Sequence, residues 1–193
     1  MFDISFLIVS LPILLAVITV HEFAHALVAD RLGDPTPRLA GRLTLNPISH
    51  IDPIGLLMLV LVRFGWAKPV PINPYNFQNP RQGSLLVSLA GPFSNFLFAW
   101  ILAVILRNVP MIDPYIAMMF TYAIWINLSL GVFNLIPIPP LDGSHILEYF
   151  LPAHQLEGLY RMQQYGFIIL LFIITFGSPI LMEIINFLYK LIT

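Results

Sequence analysis

Long apolar runs alternate along the chain with short stretches rich in proline, glycine and charge. The first run, about Ile4 to Leu32, is long enough for a helix that crosses a bilayer, which takes roughly 20 mostly apolar residues. Its C-terminal half turns polar at His21-Glu22-Phe23-Ala24-His25. Gly33-Asp34-Pro35-Thr36-Pro37 ends it, because glycine suits a helix C-cap and prolines cannot continue the ladder. From Arg38 to Pro47, Leu43 and Leu45 alternate with Arg42 and Thr44, the period of a short, half-buried strand. Pro53 to Phe64 is apolar but short of a full crossing and predicts a tilted or partly inserted helix. Lys68-Pro69-Val70-Pro71-Ile72-Asn73-Pro74-Tyr75 holds too many prolines for a helix and predicts an extended loop.

The third helix, about Gln82 to Arg107, carries Gly91, Pro92 and Asn95 in its interior. A fourth, about Pro114 to Ile136, runs into a proline-rich break that ends at Pro139-Pro140-Leu141-Asp142-Gly143. A helical piece (Ser144 to Phe150) and a polar connection (Pro152 to Arg161) follow. The last apolar stretch, Tyr165 to Ile192, is split at Gly177-Ser178-Pro179 into two short helices or a broken hairpin. No internal repeat is visible. The pattern predicts an all-α polytopic integral membrane protein of about five to six membrane segments. A small membrane-associated β element is expected between the first and third helices. One membrane-embedded domain is expected over 1–193, with its core in 1–150, an accessory C-terminal hairpin at 160–193 and no appended soluble module.

Composition strengthens this reading. The chain is 58% hydrophobic and 10% charged, against about 25% charged in soluble domains. Its formal net charge of −1 gives no footprint for nucleic acid. It has no cysteine, which excludes disulfides and thiolate metal sites. The first run lacks a basic leader and a small-residue cleavage site, so it reads as a retained helix rather than a signal peptide. Arg31, Arg38, Arg42, Arg63, Lys68 and Arg81 lie between the first and third helices, and Arg161 returns to the same side. By the positive-inside rule that side is cytoplasmic; Arg107 is the exception.

The polar turn in the first helix carries the chemistry. His21 and His25 are one turn apart on one helical face, where both imidazoles can reach a single zinc ion. Glu22, next to the first histidine, is placed to take a proton from an activated water and pass it to a leaving amine. Three ionisable groups in one turn of an intramembrane helix are costly and mark a functional site. A catalytic zinc normally has a third protein ligand. His50, His145 and His154 are candidates, but Asp142, at a break in an apolar helix, stands out. Irregular backbone at membrane depth is tolerated where it is buried or lines a wet cavity. Taken alone, Asp142 would sooner be a turn residue or the N-cap for Ser144 onward.

His21-Glu22-Phe23-Ala24-His25, Gly91-Pro92-Phe93-Ser94-Asn95 and Asn134 through Asp142-Gly143 together resemble the site-2 protease family of intramembrane metalloproteases, in a minimal form without PDZ or CBS domains. The resemblance implies that His21, His25 and Asp142 bind zinc and that Glu22 is the general base. It places Asn95 facing the site, where its amide would donate to the scissile carbonyl or its oxyanion; helix–helix hydrogen bonding is an equally good reading. His145 either orients Asp142 or is a surface residue, and Gly91 and Pro92 shape packing. The expected partners are the bilayer and a membrane-spanning or membrane-associated substrate, which must be unwound for cleavage. Arg38 to Pro47 and Val70 to Tyr75 would offer it an edge by strand addition. A metal or proton transporter would more often show duplicated halves, and a silent adaptor would have lost Glu22 or a ligand.

Overall fold

The proline and glycine breaks in the sequence mark where the helices end. The structure is a computed structural model that describes residues 4–62, 65–109 and 112–193. Two compact units divide the chain, Met1–Gly91 and Pro92–Thr193.

The first unit contains α1 (Ile4–Arg31), α2 (Thr36–Leu39), α3 (Pro53–Val62) and the first turns of α4 (Pro80–Asn108). Gly33, at φ +102°, ends α1 in a left-handed cap. The Gly33 N–H donates to Asp30 O at 3.2 Å and the Asp34 N–H to Ala29 O at 3.0 Å, which satisfies carbonyls that the last turn leaves open. At the start of α3, Asp52 Oδ1 accepts from the N–H groups of Ile54 and Gly55, each at 2.9 Å. Ala29, Phe77 and Val87 form the buried core of this unit, with Val28, Leu32 and Ile72 packed around them.

The expected β element is absent among the described residues. Arg38 to Pro47 begins inside α2, turns at Gly41 (φ +66°) and leads into a 3-10 turn over Pro47–His50. The buried residue there is Arg42, while Leu45 is 60% exposed, the reverse of the face that a half-buried strand would hide. Alternation makes a strand only when a neighbouring strand covers one face. Here the pairing stops at one isolated antiparallel bridge, Ile51 with Ala67. Residues 68–73 carry no helix or strand, in line with the expected loop, and a 3-10 turn over Pro74–Asn76 ends it. Arg63 and Phe64, expected in the second membrane segment, lie outside the described residues.

The second unit packs the rest of α4 with α5 (Pro114–Asn134), α6 (Asp142–Phe150), α7 (Ala153–Gln163), α8 (Gly166–Phe176) and α9 (Ser178–Ile192). Its core joins Ala99 and Ala103 of α4 to Ile124 and Leu128 of α5 and Ile185 of α9. Alanines one turn apart let helix backbones approach closely, the usual solution where lipid removes the hydrophobic drive between helices. The expected polar connection from Pro152 to Arg161 is instead helix α7, and the last apolar stretch does break at Gly177 into α8 and α9. Arg107, the exception to the charge pattern, donates from Nη2 to Ile192 O at 2.9 Å, a cation at the C-terminal end of α9.

Val9–Arg31, Pro80–Asn108 and Pro114–Asn134 are long and apolar enough to cross a membrane. His154–Gln163 and Gly166–Phe176, which meet at a 75° bend, would together make a fourth. Helices α3, α8 and α9, of 10, 11 and 15 residues, are each shorter than the ~20 that a crossing takes. Among the described residues, three helices, or four if the bent pair is one span, are thus long and apolar enough to cross, against the five to six segments expected. Phe93, Trp100, Phe176 and Phe187 are more than half exposed, a surface suited to lipid rather than water. The chain is a helical, multi-pass membrane protein.

Candidate metal centre

Helical spacing puts His21 and His25 on one face of α1, and both are buried. Their Nε2 atoms lie 3.0 Å apart, near the ~3.4 Å separating two nitrogens at 2.0–2.1 Å on one tetrahedral zinc. His25 Nδ1 lies 2.7 Å from Val87 O. A carbonyl can only accept, so Nδ1 carries the proton and the Nε2 lone pair is left for a metal. Backbone orientation of a ligand histidine in this way is a usual accompaniment of metal sites.

Gly91 of α4 makes room for the two rings. A Cβ there would lie 2.4 Å from His25 Nε2 and 2.6 Å from His21 Nε2, so no other residue leaves these rings in place. The sequence reading took Gly91 as general packing; in the structure it is the wall of the histidine pair. Two converging imidazole nitrogens, one with a fixed tautomer, fit a borderline divalent ion such as zinc.

Glu22 is half-buried, and its Oε2 accepts from the Val70 N–H at 3.1 Å. Val70 stands between Pro69 and Pro71, neither of which has an N–H. It is the one backbone donor of that tripeptide, and it is already used. The expected strand edge for substrate is therefore closed at 69–71 in this conformation.

Arg42 is 4% exposed. Its Nη2 donates to Lys68 O and to His50 Nδ1, the latter at 3.3 Å, while Nε has no partner. His50 Nε2 donates to Thr44 O at 2.9 Å, a bond to loop backbone. Burial pushes the Arg42 guanidinium below its ordinary value, partly offset by the Glu22 carboxylate nearby. The sequence offers Arg42 as a topology signal and as a polar position in an alternating stretch. Its place in an alternating stretch suggested an outward-facing cation, and burial of an arginine by backbone carbonyls leaves no sequence signature.

Asp34 was also missed, having been read as part of a helix stop. It is fully buried. It accepts from Thr36 N–H (3.1 Å), Thr36 Oγ1 (2.6 Å), Asn73 N–H (2.8 Å) and Asn76 Nδ2 (2.7 Å). Burial pushes its carboxyl up, but these bonds together outweigh that and hold it below the ordinary value. It ties the end of α1 to the far end of the extended segment that reaches Glu22.

In the second unit, Asp142 is the first residue of α6. Leu141 occupies the N-cap position and no side chain caps this helix end, so the N-cap reading of Asp142 does not hold. A Cβ on Gly143 would come within 2.4 Å of the Leu135 and Ile136 carbonyl oxygens. Glycine after the aspartate therefore lets the start of α6 sit against the end of α5. Asn95 is fully buried, and its Nδ2 donates to Asn127 Oδ1 at 3.1 Å. His145 is exposed and lies 3.3 Å from Glu148, in line with the surface reading, and His154 is exposed as well.

Residues 109–177 match the model of peptidase family M50. The chain is 42% identical over 180 residues to "Putative zinc metalloprotease YwhC" of Bacillus subtilis, a match covering 87% of this chain and 81% of that protein. It is 34% identical to "Putative zinc metalloprotease Rip2" of Mycolicibacterium smegmatis over 77% of this chain and 60% of that protein. It is 25% identical to "Zinc metalloprotease MJ0392" of Methanocaldococcus jannaschii over 69% of this chain and 32% of that protein. No solved structure matches. A membrane helix presenting paired histidines and an adjacent glutamate, with these relatives, defines a membrane metallopeptidase. The chain belongs to peptidase family M50, the site-2 protease family.

Proposed function

We propose that this chain is an intramembrane zinc endopeptidase in which His21, His25 and Asp142 hold the metal, Glu22 is the general base and Asn95 hydrogen-bonds the carbonyl under attack. The peptidase class and the metal follow from family membership and the named relatives. The observation behind the residue roles is the histidine pair, with two Nε2 atoms 3.0 Å apart on a helix able to cross a bilayer. Catalytic zinc takes three protein ligands and an open position, so one more ligand is needed. Asp142 is the carboxylate that the resemblance assigns. Its position at a break between apolar helices favours that role, since ionisable groups inside a membrane are functional by default.

When bound, zinc polarises the scissile carbonyl and lowers the pKa of a water molecule. Glu22, held by the Val70 N–H, accepts that proton and returns it to the departing amine. Asn95, its amide oriented by Asn127, donates to the oxygen on which charge develops. The substrate is a membrane-spanning or membrane-associated protein or peptide. The basic loops favour a site opening to the cytoplasm of a cell-membrane enzyme. Helices α8 and α9, each too short to cross alone, form an accessory C-terminal hairpin.

Metal content and cleavage of a transmembrane substrate in detergent test the roles. Wild type is expected to hold about one zinc and to cleave. Glu22→Gln should keep zinc and lose cleavage, and Asp142→Asn should lose zinc. Cleavage by Glu22→Gln at the wild-type rate would remove the general base. A wild type that neither binds zinc nor cleaves would point to an adaptor or transporter.

A further inference from the structure

Three side chains and one backbone segment of the first unit are linked in series. Lys68 N–H donates to His50 O at 2.9 Å, and Lys68 O accepts from Arg42 Nη2. The antiparallel bridge between Ile51 and Ala67 lies next to this contact, one residue after His50 and one before Lys68. Two residues beyond Lys68, the Val70 N–H donates to Glu22 Oε2. Flanking prolines leave the 69–71 stretch with no other N–H, so neighbouring ladder bonds cannot fix where Val70 sits. Its position depends on its anchors: Arg42 and His50 at Lys68 on one side, and Asp34, which accepts from the Asn73 N–H, on the other. A buried arginine is expensive to retain unless its donors are used. Of the Arg42 donors with a partner, one nitrogen serves both the carbonyl of this segment and the histidine that bonds Thr44 O.

We propose that Arg42 is a positioning residue for the hydrolytic reaction: by anchoring Lys68 and His50 it sets the Pro69-Val70-Pro71 segment so that the Val70 N–H holds the Glu22 carboxylate in its working orientation. This rests on Glu22 acting as the base. Arg42 hydrogen-bonds His50 and the Lys68 carbonyl; its hydrogen-bonded link to Glu22 runs through the backbone of the segment. His50 is the second member of the clasp. With Nε2–H given to Thr44 O, its Nδ1 is an acceptor and holds the guanidinium rather than competing with it. The Glu22 carboxylate also supports the buried cation electrostatically.

A double-mutant cycle tests the linkage, using the full chain in detergent with Arg42→Gln, Val70→Pro and the pair. Zinc content and a thermal melt are measured beside kcat and KM, with Glu22→Gln as reference. Arg42→Gln is expected to lower kcat on the order of 10- to 100-fold, the scale of a misplaced catalytic group, with zinc retained and KM changed by less than about threefold. Val70→Pro removes the one N–H and should cost a similar factor. The pair should be no slower than the slower single, because both break one chain of contacts. If the two losses multiply, or if Arg42→Gln leaves kcat intact, Arg42 does not act through Val70 and the proposal is overturned. If Arg42→Gln fails to fold, Arg42→Lys, a single-point donor in place of a fork, enters the same cycle. Loss of the fold in both variants would assign Arg42 to stability and overturn the proposal as well. Full activity of Glu22→Gln would instead reject the general base, whatever Arg42 does.

Discussion

Gly91→Ala separates the metal site from the helix that carries it. The added methyl would sit 2.4 Å from His25 Nε2, 2.5 Å from His21 Cε1 and 2.6 Å from His21 Nε2. Ordinary contact begins at 3.4 Å, so the rings or α4 must yield by about 1 Å (3.4 minus 2.4). Zinc ligand distances are held to about ±0.2 Å, a tolerance several times smaller than that displacement. His25 has little freedom to move, because Nδ1 is bonded to Val87 O on the same helix as Gly91. Zinc affinity should therefore fall by at least about 100-fold, or about 2.8 kcal/mol. Helix propensity acts the other way: alanine favours a helix interior over glycine by about 1 kcal/mol, and α4 has Gly91 well inside its span. Overpacking of about 1–3 kcal/mol outweighs this gain, so the apo variant should melt at or modestly below wild-type apo protein, while zinc no longer raises its melting temperature. Chelator competition measures the affinity, and thermal melts with and without zinc measure the other arm. Zinc binding by Gly91→Ala at wild-type affinity would refute the idea that this glycine is the wall of the site.

Asp34→Asn should destabilise the first unit by roughly 2–3 kcal/mol at neutral pH, since bonds to a charged acceptor are lost; a denaturation series in detergent measures it. Because the Asp34 carboxyl is held below its ordinary 3.8, its contribution is fully present above that value. It is lost as pH falls through the lower folded value, so the acid limb of the wild-type melting curve should flatten in Asp34→Asn. Gly143→Ala puts a methyl within 2.4 Å of two backbone carbonyl oxygens and should cost about 1–3 kcal/mol. Cleavage should fall with it, because the shifted residue neighbours Asp142; a melt paired with an activity assay would catch a variant that loses neither.

What the sequence discloses here follows from how local each cause is. Helix ends are local: Gly33 and the prolines after it decide where α1 stops, and the apolar run from Pro53 marks where α3 begins. The histidine pair is local too, since one turn of helix aligns His21 with His25. The misread strand shows the opposite case. Leucines alternate at Leu43 and Leu45, but alternation specifies a strand only when something covers one face, and nothing in a one-dimensional pattern reports a missing partner. The same limit hides Arg42, Asp34 and Gly91, whose roles are defined by what packs on them from 26 to 70 residues away: Lys68 O for Arg42, the Asn73 N–H for Asp34, and for Gly91 the rings of His21 and His25. Yet Pro69-Val70-Pro71 did carry a readable signal. A tripeptide with a single N–H cannot join a sheet, so that donor needs a specific acceptor, and a buried carboxylate is the acceptor that gains most from it. Proline spacing can thus be read as a search for the one donor it leaves.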